Sequence, residues 1–321
     1  MGEMRVVEYD RYGPPEVLRV VGAPVPVPSA EEVLVRVHGA SVGGGDLALR
    51  GGGLRVLRPR RFPKRIGVDF AGEVVSAGGR VVGPAVGDRV WGALDRGTLV
   101  RGRAGALAEF VAVRPRQLAP APAGVDLVAA AALPGVGTTA ITALRDKARL
   151  RAGERLLVRG GTGGLGSVLV QLGRALGAHV TALASAPTLD LAVSLGAHEA
   201  LDYRGTGPSA LGAFDVVVDA VGTELAEYHR LVRPGGRFVA LAPTTPAAVR
   251  HLAGSFLPWR ERALFFSGNP GSRLFADLTS YVESGAVRPV VDTVFPLEEV
   301  AAAHHALARG GVRGKYVIRL R

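Results

Sequence analysis

The sequence predicts an α/β fold in which a β-rich domain is joined to a doubly wound parallel sheet. Three observations predict it. A strand, a glycine cluster, an amphipathic helix and a second strand follow one another between Arg155 and Leu183. Strand-like and helical runs then alternate as far as Ser267. The residues before Pro120 read instead as short runs of β-formers separated by turns.

In the opening part, Val33-Leu-Val-Arg-Val37, Gly72-Glu-Val-Val75 and Phe110-Val-Ala-Val113 are the strand-like runs, and Gly87-Asp88 is a turn signal. The stretch from Pro120 to Gly124 marks a boundary. Alanine-rich helical segments follow at Leu127–Leu133 and Thr139–Ala148, joined by a Pro134-Gly-Val-Gly turn. Strands are expected at Leu156–Val158, Val180–Leu183, Ala200–Tyr203, Val216–Asp219, Phe238–Leu241 and Ala263–Ser267, enough to complete a doubly wound sheet. A helix at Leu274–Ser284, a strand at Pro289–Phe295, a helix opening at Pro296-Leu-Glu-Glu and a strand at Lys315–Leu320 form a returning tail. The expected domains are residues 1–122 with 271–321, and residues 123–270.

The glycine cluster comprises Gly160, Gly161, Thr162, Gly163, Gly164, Leu165 and Gly166. Gly161, Gly163 and Gly166 match the G-x-G-x-x-G dinucleotide fingerprint, with the strand and helix it requires on either side. Gly161 is expected to make the tight turn. Gly163 and Gly164 are expected to leave the backbone open to a pyrophosphate, and Gly166 to let the helix lie close to the strand. The helix carries Leu165, Val168, Leu169, Leu172 and Leu176 on one face, and Gly177 ends it. A pyrophosphate would sit on free N–H groups at its positive end.

Composition narrows the alternatives. At 321 residues the chain is long enough for two domains, and 48% hydrophobic with 21% charged residues is globular. It has no cysteine, which excludes disulfides, thiolate metal sites and a cysteine nucleophile. Net charge is +11, but the basic residues are mostly scattered and aromatics are only 6%. With no helix-turn-helix, zinc-finger or RNA-stacking motif, no nucleic-acid partner is expected. No apolar run reaches membrane-span length and no signal core follows the N-terminus, so a cytoplasmic protein with no membrane contact is expected.

Motifs on both sides of the fingerprint carry a family resemblance. In order they are Gly67-Val-Asp-Phe-Ala-Gly-Glu-Val-Val-Ser-Ala-Gly78, Val86-Gly-Asp-Arg-Val-Trp-Gly92, Gly105-Ala-Leu-Ala-Glu-Phe110 and Leu133-Pro-Gly-Val-Gly-Thr-Thr-Ala-Ile-Thr-Ala-Leu144. Leu195-Gly-Ala-His-Glu-Ala-Leu-Asp-Tyr203, Phe214-Asp-Val-Val-Val-Asp219, Val232-Arg-Pro-Gly-Gly236 and Gly314-Lys-Tyr-Val-Ile-Arg319 follow. Along nearly its whole length the chain resembles the medium-chain dehydrogenase/reductase superfamily, in its zinc-free quinone oxidoreductase (zeta-crystallin-like) branch. The resemblance implies a GroES-like catalytic domain, a Rossmann domain, a nicotinamide cofactor held between them, and a homodimer paired through Rossmann sheet edges. The apolar Ala263-Leu-Phe-Phe-Ser267 suits such an edge. Zinc-dependent members carry His-Glu after the first glycine of the Gly67 motif, and here Val68-Asp69 stands there. His304-His305 is the only histidine pair, and a surface helix accounts for it better than a metal site.

NADPH is the expected cofactor. NAD-binding folds place an acid after the second strand, and Ala184-Ser185-Ala-Pro-Thr188 has none. Ser185 is positioned to donate to a 2′-phosphate, and Tyr203 and Arg204 follow the third strand, where the resemblance implies a phosphate-contacting tyrosine. Thr188 replaces a lysine common in relatives, which leaves charge compensation to Arg204. By resemblance, Thr139 lies near the nicotinamide, and Leu241, Phe266 and Ser267 offer main-chain contacts to its carboxamide.

The reaction implied is hydride transfer to a quinone or an α,β-unsaturated carbonyl compound. Many relatives carry Asn-x-x-Asp followed by tyrosines. Here Asp46 matches, Gly43 replaces the Asn, and Ala48 and Leu54 take tyrosine positions. Ser41, Asp46 and Arg50 remain as polar candidates, with Asp46 read as a helix cap rather than a general acid and Arg50 as a surface residue able to meet an anion. No dedicated proton donor stands out. Arg55, Arg58, Arg60, Arg61, Lys64 and Arg65 form a basic loop that suits either plain solvation or recruitment of an acidic small-molecule substrate. Two rival readings stay open: an enoyl reductase of a polyketide-type pathway acting on an acidic or thioester substrate, and a non-catalytic NADPH-binding protein.

Overall fold

The computed structural model describes residues 2–53, 61–95, 97–98, 102, 104–242, 246–254, 263–266, 268 and 270–321. They divide into two compact units, one of Met1–Thr138, Asn269–Gly285 and Pro289–Arg321, the other of Thr139–Gly268 and Ala286–Arg288.

The first unit contributes β1 (Glu3–Tyr9), β2 (Arg19–Pro24), β3 (Val33–Val42), β4 (Lys64–Arg65), β5 (Asp69–Ala77), β6 (Arg89–Ala93), β7 (Phe110–Val113) and β8 (Leu118–Pro120). The second contributes β9 (Arg155–Arg159), β10 (His179–Ala184), β11 (Glu199–Asp202), β12 (Phe214–Asp219), β13 (Val232–Ala240) and β14 (Ala263–Leu264). The chain then returns to the first unit with β15 (Val291–Pro296) and β16 (Lys315–Arg319).

In the first unit one sheet runs β15-β16-β3-β5-β6-β8, with β7 also paired to β3. A smaller sheet runs β2-β1-β4. Val33, Val35, Val37, Phe70, Val74 and Ile318 are buried in one apolar core, inward-facing members of alternating strands. The alanine-rich segment after β8 belongs here, not with the nucleotide fold as its sequence position suggested. The reason is Gly39 in β3, where a Cβ would come within 2.7 Å of the Val128 Cα. Helix Leu127–Ala130 therefore lies directly on the strand. The expected Pro134 turn is instead the first turn of a helix, Pro134–Ile141, because proline suits the opening position of a helix, where its missing N–H costs nothing. The helix Ser272–Glu283 closes the unit through Thr279, whose hydroxyl accepts from the buried Trp91 indole N–H at 3.0 Å.

The second unit is a parallel sheet in the order β11-β10-β9-β12-β13-β14, with helices in its connections. This is the doubly wound arrangement whose strand order reverses beside β9, between β9 and β12. Leu157, Val217 and Phe238 are fully buried at its centre, each worth roughly 1.5–3 kcal/mol of burial. Among the described residues the sixth strand is Ala263–Leu264 at the sheet edge, and Phe265 and Phe266, which the sequence placed in it, lie past its end.

Two surface expectations fail. Lys64 and Arg65 are not solvated loop charges: they form β4 against β1, with Lys64 buried against the rings of Tyr12 and Phe62 and Arg65 bonded to Glu8. Arg55, Arg58 and Arg60 lie outside the described residues. His304 is fully buried on helix Val300–Arg309 rather than exposed, with neither ring nitrogen hydrogen-bonded among the described residues.

Candidate functional site

The phosphate-loop half of the site forms where β9 ends. Gly160, with φ of +73°, is the left-handed residue that turns the chain, a role the sequence reading gave to Gly161. Gly161 instead packs on β10, where a Cβ would come within 2.8 Å of the Ala182 Cβ. Gly163 caps the helix Gly164–Ala175 with extended backbone, and a Cβ there would meet only the Gly160 carbonyl oxygen at 3.5 Å. Gly166 has no such room, because its Cβ would run into that same carbonyl. The helix is thereby pulled onto the turn, with the free N–H groups of its first turn, including Gly164 and Leu165, at the loop. The cradle has the shape and polarity a pyrophosphate requires.

Three hydroxyls stitch this loop to the end of β10. The Oγ1 atoms of Thr162 and Thr188 are 2.9 Å apart, and Thr188 Oγ1 is 3.0 Å from Ser185 Oγ. Thr188 is buried, so it bridges the loop and the strand rather than presenting its hydroxyl to solvent. The Tyr203 N–H donates to the Ala184 carbonyl at 3.0 Å, which holds Tyr203 beside Ser185. Tyr203 is half exposed, with the Arg204 guanidinium 5.6 Å from its ring centre. No carboxylate occurs from Ala184 to Leu189. Tyr203 is thus held next to Ser185, and Arg204 against the Tyr203 ring.

In the same unit Thr139 Oγ1 lies 3.7 Å from where a Gly268 Cβ would stand, so the threonine borders the segment that follows β14. Phe266 is in that segment and Ser267 lies outside the described residues. Leu241 directly follows β13, its N–H donating to the Asp219 carbonyl at 2.8 Å.

The first unit holds a buried polar cluster. The Ser41 hydroxyl donates to Asp69 Oδ2 at 2.9 Å, and Lys315 Nζ lies 3.9 Å from that oxygen. Asp46 accepts the Gly43 N–H at 2.9 Å and the Gly67 N–H at 3.3 Å, which caps the helix Gly44–Gly51 as its position predicted. Burial pushes the Asp46 carboxyl up to about 6, against the opposing pull of those N–H groups and Lys315. Burial likewise raises Asp69, with Lys315 and Ser41 pulling the other way. A Cβ on Gly43 would stand 3.0 Å from Lys315 Nζ, so the ammonium sits directly beside the glycine. Arg50 departs from expectation. It is buried and donates to the Gly13 carbonyl at 2.7 Å, so it is no surface anchor for an anion.

Sequence reasoning missed Asp69 and Lys315 as partners. Both stand in motifs already noted, but they are far apart in the chain and only the pairing of β16 with β3 and β3 with β5 joins them. Thr188 was seen only as a missing lysine.

A fingerprint loop on a doubly wound sheet, in a chain that also carries a GroES-like β domain, defines the class: an oxidoreductase that binds a nicotinamide cofactor. Residues 29–123 match the family described as alcohol dehydrogenase GroES-like domain, and residues 195–318 the one described as zinc-binding dehydrogenase. The chain is 31% identical to the chloroplastic quinone-oxidoreductase homolog of Spinacia oleracea, over 98% of both proteins. It is 33% identical to the 2-methylene-furan-3-one reductase of Solanum lycopersicum, over 98% of this chain and 79% of that one. The quinone oxidoreductase structure from Coxiella burnetii superposes with a TM-score of 0.91 at 28% identity, covering 100% of both chains. The chain belongs to the medium-chain dehydrogenase/reductase superfamily, in its quinone oxidoreductase-like branch.

Proposed function

We propose that the chain is an NADPH-dependent, zinc-independent reductase of quinones or α,β-unsaturated ketones. The observation that carries the cofactor is the end of β10, where Ala184–Leu189 contains no carboxylate and the Tyr203 N–H donates to the Ala184 carbonyl next to Ser185, with Arg204 following. A ribose 2′-phosphate needs donors and positive charge there and is repelled by an acid. The spinach quinone-oxidoreductase homolog and the tomato 2-methylene-furan-3-one reductase, as relatives, support the substrate class.

In this reading the phosphate-loop N–H groups hold the pyrophosphate, and Thr139, Leu241 and Phe266 border the nicotinamide. The bound cofactor supplies a hydride. Ser41, Asp46, Asp69 and Lys315 maintain a buried polar cluster in the other unit, and the proton that completes the reduction is assigned to water. The absence of cysteine supports zinc independence. Among the described residues, no group of three or more histidines or carboxylates is placed to hold a metal ion. The open edge of β14, where Phe265 is half exposed, is the proposed twofold contact, and light scattering should give twice the 33.2 kDa chain mass rather than the monomer.

The test is NADPH oxidation with 1,4-benzoquinone, 9,10-phenanthrenequinone and short enones. Turnover of at least one is expected. Tight NADPH binding with turnover of none would favour a non-catalytic role.

A further inference from the structure

Arg159 is the last residue of β9 and the residue immediately before the phosphate loop. It is 5% exposed, unusual for an arginine. Its register partner on β12 is Asp219, so the two face each other across the point where the strand order reverses. Their side chains form a buried ion pair. Arg159 Nη1 also donates to the Thr223 carbonyl at 2.5 Å, and Nη2 reaches Glu224 Oε2 at 3.4 Å. The guanidinium carbon lies 3.5 Å from the centre of the Tyr228 ring.

Asp219 completes the arrangement from the other side. Its Oδ1 accepts the N–H groups of Val221 at 3.0 Å and Gly222 at 2.6 Å. Glu224 holds φ of +51°, a left-handed conformation that a non-glycine residue keeps only when its surroundings impose it. Val221 Cγ2 would lie 3.1 Å from a Cβ on Gly160, which sets the loop after β12 directly against the phosphate loop.

Because Asp219 neutralises Arg159, the guanidinium is not a spare cation for phosphate. Its bonds are spent on the backbone and side chains of residues 219–224. Ligands of doubly wound sheets lie outside the carboxyl ends of the strands at this reversal, with the first mononucleotide half on the β9 side and the second beyond β12.

We propose that Arg159 is a positioning residue that fixes the loop at residues 220–224 as a wall for the nicotinamide half of the dinucleotide, while leaving the adenosine half to β10 and the phosphate loop. This rests on the dinucleotide reading above. A fixed wall lets the second half bind without first ordering the loop.

The test uses the full chain, with Arg159→Met and Arg159→Lys, and two probes, NADP⁺ and 2′,5′-ADP, measured by calorimetry. Binding of NADP⁺ is expected to weaken at least tenfold in both variants. 2′,5′-ADP, which lacks the nicotinamide half, should stay within twofold of the unmodified protein, and its retention reports an intact phosphate loop. Unchanged NADP⁺ affinity in a folded variant overturns the proposal, and so does an equal loss for both probes in Arg159→Lys. Where Arg159→Met fails to fold, the lysine variant, which keeps the charge but not the fork, decides. Failure of the unmodified protein to bind NADP⁺ would instead reject the proposed cofactor, and the same comparison then runs with NAD⁺ and 5′-AMP.

Discussion

Thr162 in the phosphate loop and Thr188 after β10 share a hydroxyl–hydroxyl hydrogen bond of 2.9 Å. Through Thr188 the contact continues to Ser185, so the glycine loop after β9 and the end of β10 are one connected structure. The bridge is a buried threonine, Thr188. In the proposed NADPH site, positive charge near the ribose is left to Arg204, which is exposed and has no ion pair among the described residues.

Two glycines three residues apart should fail differently. A side chain at Gly163 meets only one carbonyl oxygen, at 3.5 Å, and the residue's φ of −73° suits any amino acid. Gly163→Val should therefore fold with a melting temperature near the unmodified value and lose cofactor binding. Gly166→Val collides with the Gly160 backbone and should lower the melting temperature markedly. Thermal melts with and without NADPH separate the two, and normal cofactor binding by folded Gly163→Val would mean the phosphate loop lies elsewhere.

Asp46 should act on stability more than on turnover. Alanine there releases two backbone N–H groups at once, at a cost of about 1–2 kcal/mol. The kcat of Asp46→Ala should stay within about threefold, by the same reading of a cap rather than an acid. The carboxyl's raised pKa, about 6, means that ionisation weakens the native state. The stability gap between Asp46→Asn and the unmodified protein should therefore narrow as pH rises from 5 to 8, on urea titration. A gap that widens would show the ionised form to be the stabilising one.

His304 sets an acid limit. Burial, with Arg50 and His305 adding to it, lowers its pKa to about 3. The folded protein keeps the ring neutral, while the unfolded chain takes up a proton below its ordinary value of about 6.5. Stability is thus lost as pH falls from there toward 3, at up to about 1.4 kcal/mol per pH unit. Urea unfolding of His304→Leu should show a shallower loss between pH 6.5 and 5. Parallel curves would remove His304 from the account.

The nucleotide fold was legible because its signals are local. A glycine turn, a helical stripe and flanking β-formers all fall within one stretch, so the strands and Asp46's capping role could be read directly. What was not legible depends on contacts between distant segments. Asp69 and Lys315 meet only through paired strands, and Arg159 meets Asp219 only through the sheet order. His304 and Lys64 were misread as surface because charge and polarity say nothing about which face of an element packs inward. The Pro134 segment was misread as a turn because proline both breaks helices and opens them.

The proposed preference for NADPH rests on the Ser185 hydroxyl, Tyr203 and Arg204, where NAD-binding folds place an acid. The most direct measurement is kcat/KM for NADPH and for NADH with one accepted quinone or enone, in the unmodified protein and in Ser185→Asp. At least a tenfold advantage for NADPH is expected, with a loss of NADPH binding of roughly 1–3 kcal/mol in the variant through repulsion of the 2′-phosphate. Equal kcat/KM for the two cofactors in the unmodified protein would contradict it.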